Sequence, residues 1–297
     1  MAAFSVPPSS PLFSARDLRQ LADWGISPEE AARQVEIFRR PRAPLRILRP
    51  CRLGDGIREI SEAERPRLTA LARQAAGAGR VSRFIPASGA ATRMFKELLA
   101  FLNEGTEEPE VATFFAGLDR FAFAPALAQT LARSGRELAR CLEAGAAGRR
   151  EILGALLSSS GMGYADLPKG LLLFHRDASP GGAPRTAFEE HWAEAAVTEG
   201  GEDGEGAHGV ACRLDFTVSP QHEAGFREVV ERSAPRLAAR FGSRFEITFS
   251  HQERSTDTLA VDLDNQPFRQ ADGTLLLRPG GHGALLRNLA ARGREGA

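Results

Sequence analysis

Cysteine is scarce in this 297-residue chain, and the few cysteines form no recognisable pattern. Cys51, Cys141 and Cys212 are odd in number, widely spaced and outside any CxxC arrangement. A disulfide framework and a cysteine-based zinc site are both disfavoured, and a reducing compartment fits this composition. We therefore expect a cytoplasmic protein.

The chain also lacks net charge and long apolar runs. It has 38 basic and 38 acidic side chains, so no global field attracts nucleic acid or an anionic membrane. No run approaches the roughly 18 apolar residues that a membrane span needs. The N-terminus has no basic region followed by an apolar stretch, which disfavours a signal peptide. We expect neither nucleic acid nor a membrane as a partner, and an anion site must be built locally.

Lysine is almost absent, because only Lys96 and Lys169 interrupt a basic complement that is otherwise arginine. A general bias toward arginine accounts for the deficit but not for the two exceptions. A lysine is a compact point charge that the planar guanidinium does not always replace, and phosphate loops are one such place. Both lysines fall beside loops that are candidates for phosphate binding.

The length allows one large α/β domain or two modest ones. Capping boxes that begin at Ser27 and Ser61 each open a helical pattern, so residues 1–80 are predicted to form an N-terminal helical region. Residues 108–158 show only helical periodicity and are predicted to be an all-helical insertion.

Between and after these regions, at 81–107 and 159–297, short β-prone segments alternate with helical patterns. This alternation predicts an α/β domain with a mainly parallel sheet and helices on both faces. The acidic glycine-rich segment at 200–206 is predicted to be a surface loop.

The first loop with candidate chemistry follows the β-prone segment 81–85 and precedes a helical pattern that ends near Leu102. In this order a helix N-terminus can meet a phosphate, and small residues leave backbone N–H groups unobstructed. The loop matches neither GxxxxGK[ST] nor GxGxxG, and an ordinary tight turn is the structural alternative. The candidate binding residues are Ser88, Gly89, Ala90, Ala91, Thr92, Arg93 and Lys96.

A second loop, Arg-Pro-Gly-Gly-His-Gly at 278–283, has three glycines in four residues before an apolar helix. Such a run is entropically costly unless the backbone needs special angles or close approach to a ligand. A tight turn with a bystander histidine is the alternative. The candidates in the second loop are Gly280, Gly281, His282 and Gly283.

Lys169 lies on a turn that Pro168 stiffens, before an apolar strand. The alternative interpretation is a plain surface lysine.

Two groups of side chains raise the question of a metal. The first group is His191 with Glu189, Glu190 and Glu194. A solvated helix face explains this group better than a metal site, because the HExxH motif is absent. The second group is Asp257, Asp262 and Asp264. A turn with Asx hydrogen bonds explains this group better than a Mg²⁺ site. The metal ligands are therefore left unassigned.

Strings along nearly the whole chain resemble an uncharacterised bacterial family known only as a domain of unknown function: RFIPASGAATRMFK, LPKGLLLFH, TAFEEH, DFTVSPQH, STDTLAVDLDNQPFR and RPGGHGALLRNL. Three motifs are also similar to those of sugar nucleotidyltransferases, in which a strand leads into a glycine-rich loop ending in Thr-Arg and a Pro-Lys pair follows. The counterparts here are Ser88 to Arg93 and Pro168-Lys169. Segment 279–283 is similar to the nucleotide-binding loop of UDP-sugar pyrophosphorylases.

This resemblance implies a Rossmann-like, glycosyltransferase-A type fold and nucleotidyl transfer. A sugar 1-phosphate would attack the α-phosphate of a nucleoside triphosphate and release pyrophosphate. Arg93 would counter the charge on the leaving pyrophosphate, and Lys169 would sit at the α-phosphate or the sugar phosphate. The resemblance also places base, ribose or sugar contacts at Thr217, Ser219, His222, Gln252 and the second loop.

The sequence departs from the pyrophosphorylase pattern at two places. Ala91 stands where those proteins usually have glycine. Related chains also continue after the last helix into a strand with an acidic residue that binds Mg²⁺, whereas this sequence stops at Ala297. We therefore expect a C-terminally incomplete domain, associating with itself or with a complementing C-terminal polypeptide. A non-catalytic nucleotide or sugar-nucleotide binding module is the alternative function.

Overall fold

The computed structural model of the chain describes residues 12–40, 44–177, 182–200 and 210–295. Its helices are α1 (Ala15–Trp24), α2 (Pro28–Arg39), α3 (Arg65–Gly77), α4 (Lys96–Glu104), α5 (Pro109–Ala116), α6 (Ala124–Arg133), α7 (Leu138–Glu143), α8 (Gly145–Leu157), α9 (Ala187–Gly200), α10 (Glu223–Phe241) and α11 (Leu286–Glu295). Its strands are β1 (Arg52–Leu53), β2 (Gly56–Ile57), β3 (Arg83–Pro86), β4 (Leu173–His175), β5 (Arg185–Thr186), β6 (Ala211–Thr217), β7 (Arg244–Ser250), β8 (Thr258–Leu259) and β9 (Leu277–Arg278). Helices and strands are thus mixed, and the predicted α/β class is confirmed.

The parallel sheet is small. It consists of β3, β6 and β7 in that order, and both pairings are parallel. Pro86 pairs with Thr217 and Thr217 pairs with Ser250, so the carboxyl ends of all three strands lie at one edge. This edge is where ligands bind in open α/β sheets.

The other described strands lie outside this sheet. The apolar segment after Lys169 forms β4, which pairs antiparallel with β5 instead of extending the parallel sheet. β8 and β9 form a second antiparallel pair, and β1 and β2 form a short parallel one. The described sheet is therefore less extensive than the mainly parallel sheet expected from the sequence.

The N-terminal region is only partly as predicted. Ser27 is the N-cap of α2, and its hydroxyl accepts a hydrogen bond from the Glu30 N–H at 3.1 Å. The second predicted helix is present but begins later than predicted, because α3 starts at Arg65 rather than directly after Ser61, and it ends at Gly77, among the predicted glycines. Residues 44–64 contain β1 and β2 and no α-helix. The predicted loop at 200–206 lies outside the described residues except for Gly200, the last residue of α9.

The helices from α5 to α8, together with α4, enclose an aromatic and aliphatic core. Phe123 is 1% exposed, and its ring stacks on that of Phe121 at 5.0 Å between centroids. Leu127, Ile152 and Leu156 are fully buried in the same cluster. Residues 109–157 therefore have an apolar core that they share with α4.

The core beside the parallel sheet is built around Phe188 on α9. Its ring makes edge-to-face contacts with Trp192, Phe216 and Phe226 at 4.8, 4.4 and 4.9 Å between centroids. Such contacts add about 0.5–1.5 kcal/mol each beyond the burial of apolar area. They fix α9 and α10 relative to β6 and therefore to the carboxyl edge of the sheet.

The chain divides into two compact units, one formed by 63–250 and the other by 1–62 with 251–297. The parallel sheet and the helices α3 to α10 belong to the larger unit. The boundaries of these two units differ from the boundaries of the three regions that the sequence predicts. The division into those three regions stays a prediction.

Candidate functional site

The small-residue loop, defined as residues 87–95, connects β3 to α4 in the larger unit. The strand, loop and helix occur in the predicted order, but α4 begins only at Lys96. Its N-cap, Phe95, is buried and makes no side-chain capping bond. Ala91 is also buried, in the same core cluster. The two buried side chains anchor the end of the loop, while residues 88–90 and 92–94 are exposed.

The loop presents several unused backbone donors. No described residue accepts a hydrogen bond from the N–H groups of Ser88, Gly89, Ala90, Thr92 or Arg93. These residues are exposed, so their amides are open to a ligand. Successive free amides at a sheet edge are a recurrent anion-binding arrangement.

The structure brings the Pro168-Lys169 pair against this loop, although the two segments are far apart in the sequence. The Lys169 N–H donates a hydrogen bond to the Gly89 carbonyl oxygen at 2.9 Å. Ala90 and Pro168 form an isolated antiparallel bridge beside it. Pro168 is buried, whereas Lys169 is exposed at the start of one turn of 3-10 helix, Lys169–Leu171. The ammonium group is thereby carried on a backbone that is fixed to the loop.

The cations of this region are poorly neutralised. Arg93 and Lys169 are exposed and make no ion pair with any residue in the described part of the chain. Lys96 lies 3.8 Å from the Glu97 carboxylate, a long and exposed contact. The arginines on the strands of the sheet each have a carboxylate partner. The excess of positive charge at the loop therefore favours an anionic ligand.

A pocket of about 220 Å³, the Lys169 pocket, opens beside the loop. Ile85, Phe188 and Phe216 give it apolar walls, and Lys169 and His191 are the ionisable side chains in its lining. Burial lowers the pKa of the His191 imidazole below its ordinary value, against the opposing effect of Glu194. His191 is therefore neutral at pH 7 and can donate or accept one hydrogen bond.

Three further candidates lie where β6 ends. Thr217 is buried, and its hydroxyl lies 3.4 Å from that of Ser250 on the neighbouring strand. Ser219 Oγ lies 3.0 Å from His222 Nδ1. The pair forms the turn between β6 and α10, at the same edge of the sheet as the small-residue loop.

The glycine loop, defined as residues 279–283, belongs to the smaller unit together with Gln252. A Cβ atom on Gly280 would lie 2.8 Å from the Thr256 carbonyl oxygen, so close backbone packing requires glycine there. Gly281 and Gly283 are exposed, have no positive φ and would bring a Cβ within 4 Å of no atom. His282 is exposed and begins a 3-10 turn.

Gln252 is held in place beside this loop. Its amide nitrogen donates to Asp257 Oδ1 at 3.3 Å, and Trp24 Nε1 donates to Asp257 Oδ2 at 3.1 Å. The amide oxygen of Asn288 is buried and accepts no hydrogen bond from any described residue, while its nitrogen donates to the His251 carbonyl at 2.7 Å.

Neither candidate metal group has metal-site geometry. Among the described residues, no group of three or more histidine, cysteine or acidic side chains is placed to hold an ion. Glu189 is buried and does not lie on a solvated helix face. Its carboxylate accepts hydrogen bonds from the hydroxyl groups of Thr186 and Ser233. Asp262 accepts the N–H groups of Asp264 and Gln266, which is an Asx turn.

Sequence reasoning missed the position of His191 beside Lys169. Its helical spacing to acidic residues drew attention to a metal and away from a ligand pocket. Only the pairing of β3 with β6 and the packing of Phe188 bring α9 to the carboxyl edge. The local sequence feature that could have indicated a site was a histidine close to the start of a predicted helix.

The fold and the loop define an α/β protein with a candidate anion-binding site at the carboxyl edge of a parallel sheet. The chain belongs to a family described as "Domain of unknown function (DUF4301)", whose model matches residues 14–295. The expected membership of an uncharacterised family is thus confirmed. No curated protein and no solved structure matches the chain.

The helices in the described part of the chain do not suit membrane insertion. None of them combines the length and the apolar character that are needed to cross a bilayer.

Proposed function

We propose that this protein is nucleotidyltransferase-like and transfers a nucleoside monophosphate from a triphosphate to a sugar 1-phosphate, with release of pyrophosphate. The observation that carries this proposal is the free amides of the small-residue loop beside the unpaired cations Arg93 and Lys169. The resemblance to sugar nucleotidyltransferases supplies the reaction and a glycosyltransferase-A type fold.

The proposed roles follow from what such a transfer requires. Nucleotidyl transfer depends on positioning and on neutralising charge more than on covalent catalysis. The loop amides would bind the triphosphate, Arg93 would offset charge on the leaving pyrophosphate, and Lys169 would offset charge that develops at the α-phosphate. Lys169 suits this role because its backbone is hydrogen-bonded to Gly89.

The remaining candidates are proposed to contact the uncharged parts of the substrates. Thr217, Ser219 and His222 would contact the base or the sugar from the end of β6. The base and ribose contacts that the resemblance implies for Gln252 and the glycine loop stay a prediction, because both belong to the smaller unit. These assignments rest on the resemblance, together with the exposed glycines Gly281 and Gly283.

Mg²⁺ is the metal that the resemblance implies, and it would stabilise negative charge on phosphate oxygens. The lining of the Lys169 pocket includes no carboxylate. The described residues around the loop therefore do not fit a metal site, and the roles proposed for Arg93 and Lys169 involve no metal.

A non-catalytic nucleotide or sugar-nucleotide binding module is the second candidate. The lack of a metal-binding group among the described residues favours it, because the loop amides and cations suffice for binding alone. Cytoplasmic location and association with itself or with a complementing polypeptide stay predictions.

Pyrophosphate release separates the two candidates. The chain is incubated with a nucleoside triphosphate, a set of sugar 1-phosphates and Mg²⁺, and pyrophosphate is measured over time. Sustained release that requires both substrates supports the transferase. Nucleotide binding without release supports the binding module.

Lys169→Ala tests the site itself. We expect the variant to fold normally, because the side chain is exposed and has no described partner. Nucleotide affinity should fall at least about tenfold with the loss of one charge-assisted contact. Arg244→Ala is the matched control, since Arg244 is an exposed cation at the amino end of β7. Equal affinities for all three proteins would remove Lys169 from the site.

A further inference from the structure

A second pocket of the larger unit, the α6–α10 cleft, is lined by residues of α6, α10, segments 161–173 and 183–186, and Glu189 of α9. Its volume is about 630 Å³, within the range of small-molecule sites. Neither Lys169 nor any residue of the small-residue loop is in its lining. The cleft is thus a separate place from the proposed nucleotide site.

Positive charge predominates in the lining of the cleft. Arg133, Arg232 and Arg236 line it, against the carboxylates of Glu189 and Glu228. The buried Glu189 carboxylate already forms an ion pair with Arg236, at 3.3 Å. This leaves two guanidinium groups against the single carboxylate of Glu228.

Arg133 and Arg232 have N–H groups that donate to no described residue. Arg133 donates from Nη2 to the Thr130 hydroxyl at 3.0 Å, which orients the guanidinium and leaves its other N–H groups available. Arg232 has no described hydrogen-bond or ion-pair partner. A guanidinium with several free N–H groups is suited to carboxylate and phosphate oxygens.

The cleft also has a buried donor whose proton is unused. The hydroxyl oxygen of Tyr164 accepts the Leu173 N–H at 3.1 Å, and no described residue accepts the hydroxyl proton. Tyr164 is 3% exposed, and burial raises its pKa to about 12, so the proton stays on the oxygen. Buried donors usually have an acceptor, which a ligand in the cleft would supply.

The rest of the lining is largely apolar. Met162, Leu171, Leu173 and Val229 provide aliphatic and thioether surface between the polar groups. Pockets that bind small molecules combine such walls with a few oriented polar groups. A purely inorganic ion would leave this apolar surface without a partner.

From these observations we infer that the α6–α10 cleft binds a small organic anion, with a carboxylate or phosphate group on an apolar ring. The anionic group lies against Arg133 and Arg232. Tyr164 donates to an acceptor on the ligand, and the ring packs against Met162 and its apolar neighbours. This inference does not depend on the proposed transferase reaction.

The distribution of methionine allows a direct test. The chain has three methionines, of which Met94 lies in the small-residue loop and Met162 lines the cleft. The protein is labelled with ¹³C at the methionine methyl groups and titrated with phenyl phosphate, phenylacetate, inorganic phosphate and benzyl alcohol. We expect phenyl phosphate or phenylacetate to shift the Met162 signal saturably and the Met94 signal less. The better of these two probes identifies the anionic group.

Two charge variants complete the experiment. Arg232→Gln should weaken binding of the better probe about tenfold, and Glu228→Gln should leave it equal or tighter. Both side chains are exposed, so both variants should fold, which the remaining methyl signals check. The inference is overturned if neither aromatic anion shifts Met162. It is also overturned if benzyl alcohol binds as well as the anions, or if Arg232→Gln has no effect.

Discussion

Glycine at some positions of this protein has a steric reason within the protein, and at others it has none. Gly280 is required because a side chain would collide with the Thr256 carbonyl oxygen. Gly89, Gly281 and Gly283 have no positive φ, and a methyl group on any of them would have no neighbouring atom within 4 Å. Glycine lowers stability through the entropy of the unfolded chain, so the proposed close approach of a ligand would give these three positions a reason that packing within the protein does not.

This contrast predicts opposite effects of two alanine substitutions. Gly89→Ala should raise the free energy of unfolding by about 0.4–1 kcal/mol, because alanine restricts the unfolded chain and fits the native backbone. The same change should weaken nucleotide binding, because the new methyl group lies where the phosphate approaches. Chemical denaturation and calorimetric titration measure the two effects on one sample.

Gly280→Ala serves as the counterpart. It should lower the free energy of unfolding by about 1–3 kcal/mol, since the methyl group overpacks against Thr256. If Gly89→Ala destabilises the protein and leaves nucleotide affinity unchanged, the glycine has a structural role and the loop is an ordinary turn.

At the residue scale, the sequence was informative where composition was unusual. The scarcity of lysine and the run of small residues pointed to Lys169 and to the loop that contains Gly89. No such signal marked His191. Tyr164 is the single tyrosine of the chain, but its relevance, like that of His191, depends on which side chains surround it. Burial and unused hydrogen-bond capacity are properties of the folded chain alone.

At the scale of elements, proline explains the late start of one helix and affects the stability of another. Pro66 occupies the first turn of α3, where its fixed φ fits and its missing N–H costs nothing. The helix accordingly begins at Arg65 rather than at the box that starts with Ser61. A capping pattern marks a helix start only where the following residues extend the helix from that position.

Pro235 is the opposite case, because it lies inside α10 and is exposed. A proline there removes one helical hydrogen bond and crowds the preceding turn. Pro235→Ala should therefore raise the free energy of unfolding by about 1–3 kcal/mol, the helix-interior penalty less the entropy gained by the unfolded chain. A lower midpoint in chemical denaturation would show that Pro235 is needed for α10 to pack.

At the scale of the whole molecule, an ion pair between a buried carboxylate and an exposed arginine joins distant parts of the chain in the smaller unit. Asp17 on α1 is 1% exposed, and Arg269 donates to Asp17 Oδ2 at 2.8 Å. The hydrogen bond from Arg269 is the main cause that lowers the pKa of Asp17 to about 2. No local sequence pattern could have predicted a pair separated by 252 positions.

The lowered pKa predicts a defined dependence of stability on pH. The carboxylate contributes about 2 kcal/mol above the unfolded-state pKa near 4, and this contribution is lost as the pH falls through about 2. In Arg269→Gln the pKa of Asp17 should rise, so the smaller unit should be destabilised already at neutral pH. Hydrogen exchange of the α1 amides measures the effect.

Arg16→Gln is the control for this prediction. Arg16 is an exposed neighbour on α1 whose guanidinium, among the described residues, donates to the Asp272 carbonyl oxygen alone, so the change should cost less than about 0.5 kcal/mol. Equal exchange rates in Arg16→Gln and Arg269→Gln would mean that the Asp17–Arg269 pair does not hold the unit together.

The proposed site, formed by the small-residue loop and Lys169, should bind a nucleoside triphosphate. The most direct test is calorimetric titration of the purified chain with UTP, ATP, GTP and CTP, with and without Mg²⁺. Saturable binding of one triphosphate, lost in Lys169→Ala, is the predicted result and identifies the base. A folded chain that binds none of the four under either condition would contradict the claim.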